Sequence, residues 1–163
     1  MIISTPDLCD EHPNDVNVCE LQFVRFGEHE KFSGKIRTVK CFEDNSLVKQ
    51  ILAQPGQGQV LVVDGGGSLR RALLGDQIAA SAVKHEWAGL IFYGAVRDVN
   101  EINSLAIGVR ALGSIPLKTE KLGAGQVDVP ISFGGVDFIP GHYVYADNNG
   151  VVVCEKDLQV SWS

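Results

Sequence analysis

Apolar residues along the chain gather into short runs separated by glycine- or proline-marked breaks. Val60-Leu-Val-Val63 is an unbroken apolar run bounded by glycines, the pattern of a strand buried on both faces. Gly89-Leu-Ile-Phe-Tyr-Gly94 repeats it. Between the two, Asp64-Gly-Gly-Gly67 ends the first strand. A helix is then predicted from Gly75-Asp76 to Glu86, because Ile78, Ala79, Ala82 and Val83 fall at helical spacing on one face. Upstream, Thr5 reads as an N-cap with Pro6 at the first helical position of a short helix reaching about Glu11, ended by Pro13. Gly34 to Phe42 has the β-branched content of a strand, and Asp44 or Asn45 then caps a helix through Leu52 that Pro55 and Gly56 stop. Downstream, Val99 to Leu105 reads as a short helix before an apolar segment at Val109–Leu112.

Alternation of strand and helix argues for an α/β unit. After about Leu122 the texture changes to glycine-rich β segments: Val127–Phe133, Asp137–Ile139, Tyr143–Ala146 and Val151–Cys154. Asn148-Asn149-Gly150 forms the turn before the last. These strands are expected to extend the same core. With no internal repeat or linker, residues 1–163 read as one domain, a size that buries enough surface to fold unaided.

Charge narrows the function classes. Fourteen basic against twenty acidic residues give a net charge of −6, which opposes the phosphate neutralisation on which nucleic-acid affinity depends, so direct nucleic-acid binding is not expected. No run approaches the length of a membrane span and the N-terminal residues lack a secretory pattern, so a cytoplasmic location is expected. Cys9, Cys19, Cys41 and Cys154 are widely spaced and read as packed thiols rather than zinc ligands. His12, His29, His85 and His142 lie in no ligand-like cluster either.

The triple glycine invites a phosphate-binding reading, but the third glycine of a dinucleotide fingerprint would fall at Arg70, and no Gly-Lys-Ser/Thr follows. A tight turn or a small-ligand loop is the better expectation. More informative are Gly75-Asp76 at a predicted helix start and Arg97-Asp98 just after a predicted strand. Carboxyl ends of sheet strands gather ligands, and free N–H groups at a helix start bind anions. A carboxylate would sit on the N–H groups of Gly75 to Ile78, Arg97 would supply a planar fork, and Asp98 would offer hard oxygen to a divalent cation. Taken alone, an Arg-Asp pair at a strand end reads more simply as a surface ion pair or a helix cap.

Asp76, twenty intervening residues, then Arg97-Asp98 reproduces a pattern of the class II pyruvate aldolases. Around it stand Thr5-Pro-Asp-Leu-Cys-Asp10, Val39-Lys-Cys-Phe-Glu-Asp-Asn45, Val60 to Arg71, Phe133-Gly-Gly-Val136 and Tyr145-Ala-Asp-Asn-Asn-Gly150. Over nearly its whole length the chain resembles the short bacterial members of the family that holds 4-hydroxy-4-methyl-2-oxoglutarate aldolase and the regulator of ribonuclease activity A. The resemblance implies a compact layered α/β sandwich related to swivelling phosphohistidine-type domains, assembled as a homotrimer. It implies a Mg²⁺ or Mn²⁺ cofactor and a small α-keto acid substrate. Gly75, Asp76, Gln77 and Ile78 would hold that substrate, Arg97 would bind its keto-acid end and, with Asp76, serve catalysis, and Asp98 would ligate the metal. The implied chemistry is cleavage of 4-hydroxy-4-methyl-2-oxoglutarate to two pyruvates, with oxaloacetate decarboxylation as a second activity. The alternative is a regulator that binds and inhibits an endoribonuclease through protein contact.

Overall fold

The computed structural model describes residues 2–162 and is organised around one nine-stranded mixed sheet. In chain order the first elements are helix α1 (Thr5–Glu11), strands β1 (Val16–Cys19), β2 (Val24–Phe26) and β3 (Phe32–Lys40), helix α2 (Ser46–Leu52) and strand β4 (Val60–Asp64). Then come β5 (Ala72–Leu74), α3 (Asp76–Lys84), β6 (Gly89–Tyr93), β7 (Ala95–Val96), α4 (Val99–Asn103), β8 (Gly108–Ala111) and β9 (Gly113–Ser114). The chain closes with β10 (Gln126–Val127), β11 (Ile131–Phe133), β12 (Val136–Phe138), β13 (Tyr143–Asp147) and β14 (Gly150–Cys154).

The centre of the sheet is parallel, β3-β4-β6-β8, and its flanks are antiparallel: β13, β14 and β1 on one side, β2 on the other. Val60 to Val63 and Leu90 to Phe92 are wholly buried, as apolar runs covered on both faces must be. One face packs on α2, α3 and α4 through a core that includes Leu52, Leu61, Val63, Ala79, Ala82, Phe92 and Ile102. The small alanines of α3 let that helix lie close. The other face is covered by the β11-β12 hairpin, whose Phe133 stacks between Tyr93 and Phe138 at centroid distances of 4.9 and 4.5 Å. Gly134 and Gly135, both with positive φ, make its two-residue turn. Helix α1 closes the far edge over Tyr145 and Val152. The layered α/β sandwich expected from the sequence is the architecture observed.

Several local readings are corrected. Ser4, not Thr5, is the N-cap of α1, its hydroxyl accepting the Asp7 N–H at 3.2 Å. Thr5 is instead buried and donates its N–H and hydroxyl to the Asp147 carboxylate. Helix α3 stops at Lys84 and α4 at Asn103, each about two residues early, and the Val127–Phe133 segment divides into β10 and β11. Strands β1, β2, β5, β7 and β9 were not foreseen. The last three matter most, because β6 and β8 each break for one residue and continue as β7 and β9 which, with β5 after the glycine loop that follows β4, form a separate three-stranded parallel sheet, β5-β7-β9. Asp76 and Arg97-Asp98 therefore follow the strands of this small sheet, not the main one.

Candidate active site

Arg97 continues the β5-β7 ladder, its N–H donating to the Leu74 carbonyl at 2.8 Å. Asp98 follows with φ 55° and ψ 48°, a left-handed conformation that Asp tolerates better than most residues. It occupies the N-cap position of α4, yet its side chain makes no cap there. Oδ2 of Asp98 accepts the N–H of Asp76 at 2.9 Å instead, capping the neighbouring helix α3. The N-cap residue of α3 is Gly75, which has no side chain for the task. A Cβ on Gly75 would stand 2.8 Å from Asp98 Oδ2 and 3.5 Å from Arg97 Nε, so close approach rather than φ demands glycine. Gly75, Arg97 and Asp98 thus form one packed unit at the head of α3.

All six residues singled out from the sequence, Gly75, Asp76, Gln77, Ile78, Arg97 and Asp98, line one cavity of about 520 Å³. The simple ion-pair reading fails: among the described residues neither Arg97 nor Asp98 enters a salt bridge. The Arg97 guanidinium makes one long bond, Nη1 to the Pro116 carbonyl at 3.4 Å. With the Asp76 N–H taken by Asp98, the first-turn N–H groups of Gln77 and Ile78 remain for a ligand.

Sequence reasoning missed the other side of the cavity. Lys49, Lys118 and Lys121 also line it, so four cations face two carboxylates in a chain of net charge −6. No lysine stands beside Arg97-Asp98 in sequence, but folding brings Lys118 and Lys121 there through a loop with no recognisable motif. Asn45, which is buried, positions this loop: Thr119 Oγ1 and Lys121 Nζ donate to its Oδ1 at 2.8 and 2.9 Å, and its Nδ2 donates to the Leu73 carbonyl. Asp44 fastens the following turn by accepting the N–H groups of Leu122 and Ala124, while its other oxygen takes the N–H and hydroxyl of Ser46. Burial alone would push the Asp44 carboxyl up, but these bonds outweigh it and hold the group at about 2. Both loop lysines are exposed, unlike the buried amines that form Schiff bases.

Among the described residues no three His, Cys, Asp or Glu side chains converge as a ready-made metal cage. Mg²⁺-type cations need none, since they are commonly held by one or two carboxylates with water and substrate oxygens. Asp98 suits that mode: Oδ1 carries no protein hydrogen bond among the described residues. The glycine loop, by contrast, is spent on the protein. Gly65 and Gly67 donate to the Tyr93 carbonyl and Gly66 donates to Asp64 Oδ1, leaving those N–H groups unavailable to phosphate. A second cavity of about 450 Å³ holds His142 and Asp137, but its Lys156 pairs with Asp15 and its Asp137 with Ser132. The four cysteines are all free, and Cys19, Cys41 and Cys154 are buried.

The RraA-like family described as Aldolase/RraA matches residues 5–153. The chain belongs to this family. A protein of Pseudomonas fluorescens (strain SBW25), provisionally named 4-hydroxy-4-methyl-2-oxoglutarate aldolase, is 57% identical over 156 residues, 96% of each chain. The solved RNA-processing inhibitor RraA from Thermus thermophilis is 43% identical with a TM-score of 0.93, covering 98% of this chain and 96% of its own. A Geobacillus kaustophilus structure described as an S-adenosylmethionine:2-dimethylmenaquinone methyltransferase is 51% identical, with a TM-score of 0.92 and coverage of 96% and 97%. These matches span essentially the whole fold, including the small sheet on which the Arg97-Asp98 unit stands.

Proposed function

We infer that this chain is a metal-dependent pyruvate aldolase that cleaves 4-hydroxy-4-methyl-2-oxoglutarate to two pyruvates and, at the same site, decarboxylates oxaloacetate. The observation that carries the reading is the cavity itself, which gathers a helix N-terminus, a guanidinium in no salt bridge among the described residues and two carboxylates under an excess of positive charge. Named relatives above half identity support the reaction class.

The substrate's keto-acid carboxylate rests on the Gln77 and Ile78 N–H groups, and Arg97 directs its fork at the keto oxygen. Asp98, through its unbonded oxygen, would hold a Mg²⁺ or Mn²⁺ ion, which would supply Lewis acidity to the site. Asp76 is the cavity carboxylate that bonds no protein group among the described residues. It accepts the proton of the C4 hydroxyl, directly or through one water. The C3–C4 bond then breaks, its electron pair leaves as the enolate of pyruvate, and a second pyruvate departs. Protonation at C3 completes the turnover. Loss of CO₂ from oxaloacetate yields the same enolate, so Arg97 serves both reactions.

The working assembly is a homotrimer, as the family resemblance implies, and four unpaired cysteines suit a reducing cytoplasm. No helix among the described residues is long and apolar enough to cross a membrane. Pyruvate release from either keto acid, followed with and without Mg²⁺ or Mn²⁺ in wild type and Asp98→Ala, tests the assignment. Metal-dependent release that the substitution abolishes is the expected result. A wild type inert with every divalent metal would favour the second reading, a regulator that binds an endoribonuclease, which the RNA-processing inhibitor among the relatives motivates.

A further inference from the structure

The geometry points to Lys49 and Lys118 as the subsite for the second carboxylate of a keto diacid, and so as the residues that select diacid over monoacid substrates. This rests on the aldolase reading of the cavity and extends it to specificity. Both lysines line the same cavity as Arg97 and Asp98. Lys121, the third, donates to Asn45 Oδ1. Among the described residues the ammonium groups of Lys49 and Lys118 bond no protein atom, so neither cation is committed to holding the fold.

The backbone from which each lysine side chain starts is fixed. Asn45, Lys49 and Ala53 stand four residues apart, so the buried N-cap position, the lysine and the helix end form one stripe of α2 facing the cavity. From α3, Ile78 and Ser81 face the same space three residues apart. Lys118 is pinned through its main chain: it pairs with Ala72 as an isolated bridge, and its carbonyl accepts Arg71 Nη1 at 3.1 Å. The head of α3 takes the keto-acid end. The second carboxylate then meets lysine, and Ala53 and Ile78 offer apolar surface to a methyl group at C4.

The test compares wild type, Lys49→Ala, Lys118→Ala, the double variant and Lys49→Arg. Steady-state cleavage is measured with 4-hydroxy-4-methyl-2-oxoglutarate and with the monoacid 4-hydroxy-2-oxopentanoate, both with Mg²⁺. Binding of 2-oxoglutarate and of 2-oxobutanoate is measured by calorimetry with the same metal. Losing a charge-assisted contact should raise the diacid KM about ten-fold or more in the double variant, with kcat little changed and the monoacid KM moving far less. Lys49→Arg should recover most of its share. Calorimetry should show wild type preferring 2-oxoglutarate and the double variant losing that preference. Equal shifts for diacid and monoacid, or an unchanged diacid preference in the double variant, would overturn the subsite while leaving the aldolase standing. A wild type that binds 2-oxoglutarate preferentially but cleaves nothing would sink the aldolase and keep the subsite.

Discussion

Asp98 carries two jobs that different substitutions separate. Its Oδ2 caps α3 through the Asp76 N–H, and its charge is assigned to the cation. Asp98→Asn retains an acceptor oxygen and should stay close to wild type in urea unfolding, whereas Asp98→Ala should lose about 1 kcal/mol, the usual worth of a cap. Both should lose metal-dependent pyruvate release; activity in Asp98→Asn equal to wild type would remove the residue from the metal site. For Arg97 the informative change is Arg97→Lys, which keeps the charge and loses the fork. Its rate should fall about 10²–10³-fold without rescue by added metal, because the lost contact acts on charge that develops during bond cleavage. Gly75 tests the packing of the same unit. Its φ of −123° suits any residue, so destabilisation of Gly75→Ala by about 1–3 kcal/mol would report the clash with Asp98 and not backbone strain. That the pair stands with Asp76 in one site was legible in their spacing and the family resemblance it carries. That Asp98 caps a helix other than its own was not, because the bond joins residues twenty-two apart across two strands.

Among elements, the loop after β9 is held by side chains from the start of α2, and Asp44 is the main fastener. Its carboxyl is held at about 2 against an ordinary value of 3.8, so the ionised form is stabilised by folding. The contribution is therefore complete above the unfolded value and disappears as pH falls from about 4 toward about 2. Urea midpoints of wild type and Asp44→Asn across that range should differ most at neutral pH and converge in acid. A constant gap would show that Asp44 acts through something other than its charge. The long apolar runs made β4 and β6 readable, since strands buried on both faces need no polar alternation. Strands β5, β7 and β9 span only two or three residues each, too short for any period to show. The lysines at the cavity escaped notice for a related reason: Leu117 to Leu122 has no period, and its place is decided by distant partners, Asp44 and Asn45 on one side and Arg71 and Ala72 on the other.

Across the whole molecule, net charge and local charge point in opposite directions. A chain of −6 concentrates four cations around its cavity, which favours capture of small dianions without a general affinity for polyanions. Large apolar residues are also unevenly spread. Phe42, Leu69, Leu117 and Leu122 are all exposed, Leu122 at 75%, and all belong to the loops that follow β3, β4 and β9. Exposed apolar surface of this kind suits contact between subunits. Light scattering at micromolar concentration should give a trimer mass, and Phe42→Asp with Leu122→Asp should lower it. A wild-type monomer would remove the trimer and any site shared between subunits.

Local physics was enough to determine the buried strands, the amphipathic helices and the α/β class, because each depends on patterning among residues close in sequence, and the family resemblance singled out the residues that gather at the head of α3. Tertiary structure alone decided the second sheet, the capping of α3 by Asp98 from the start of α4, and the lysines that complete the cavity. Those features arise where separate segments meet, and the hydrogen bonds and charges that hold them have partners more than twenty residues away.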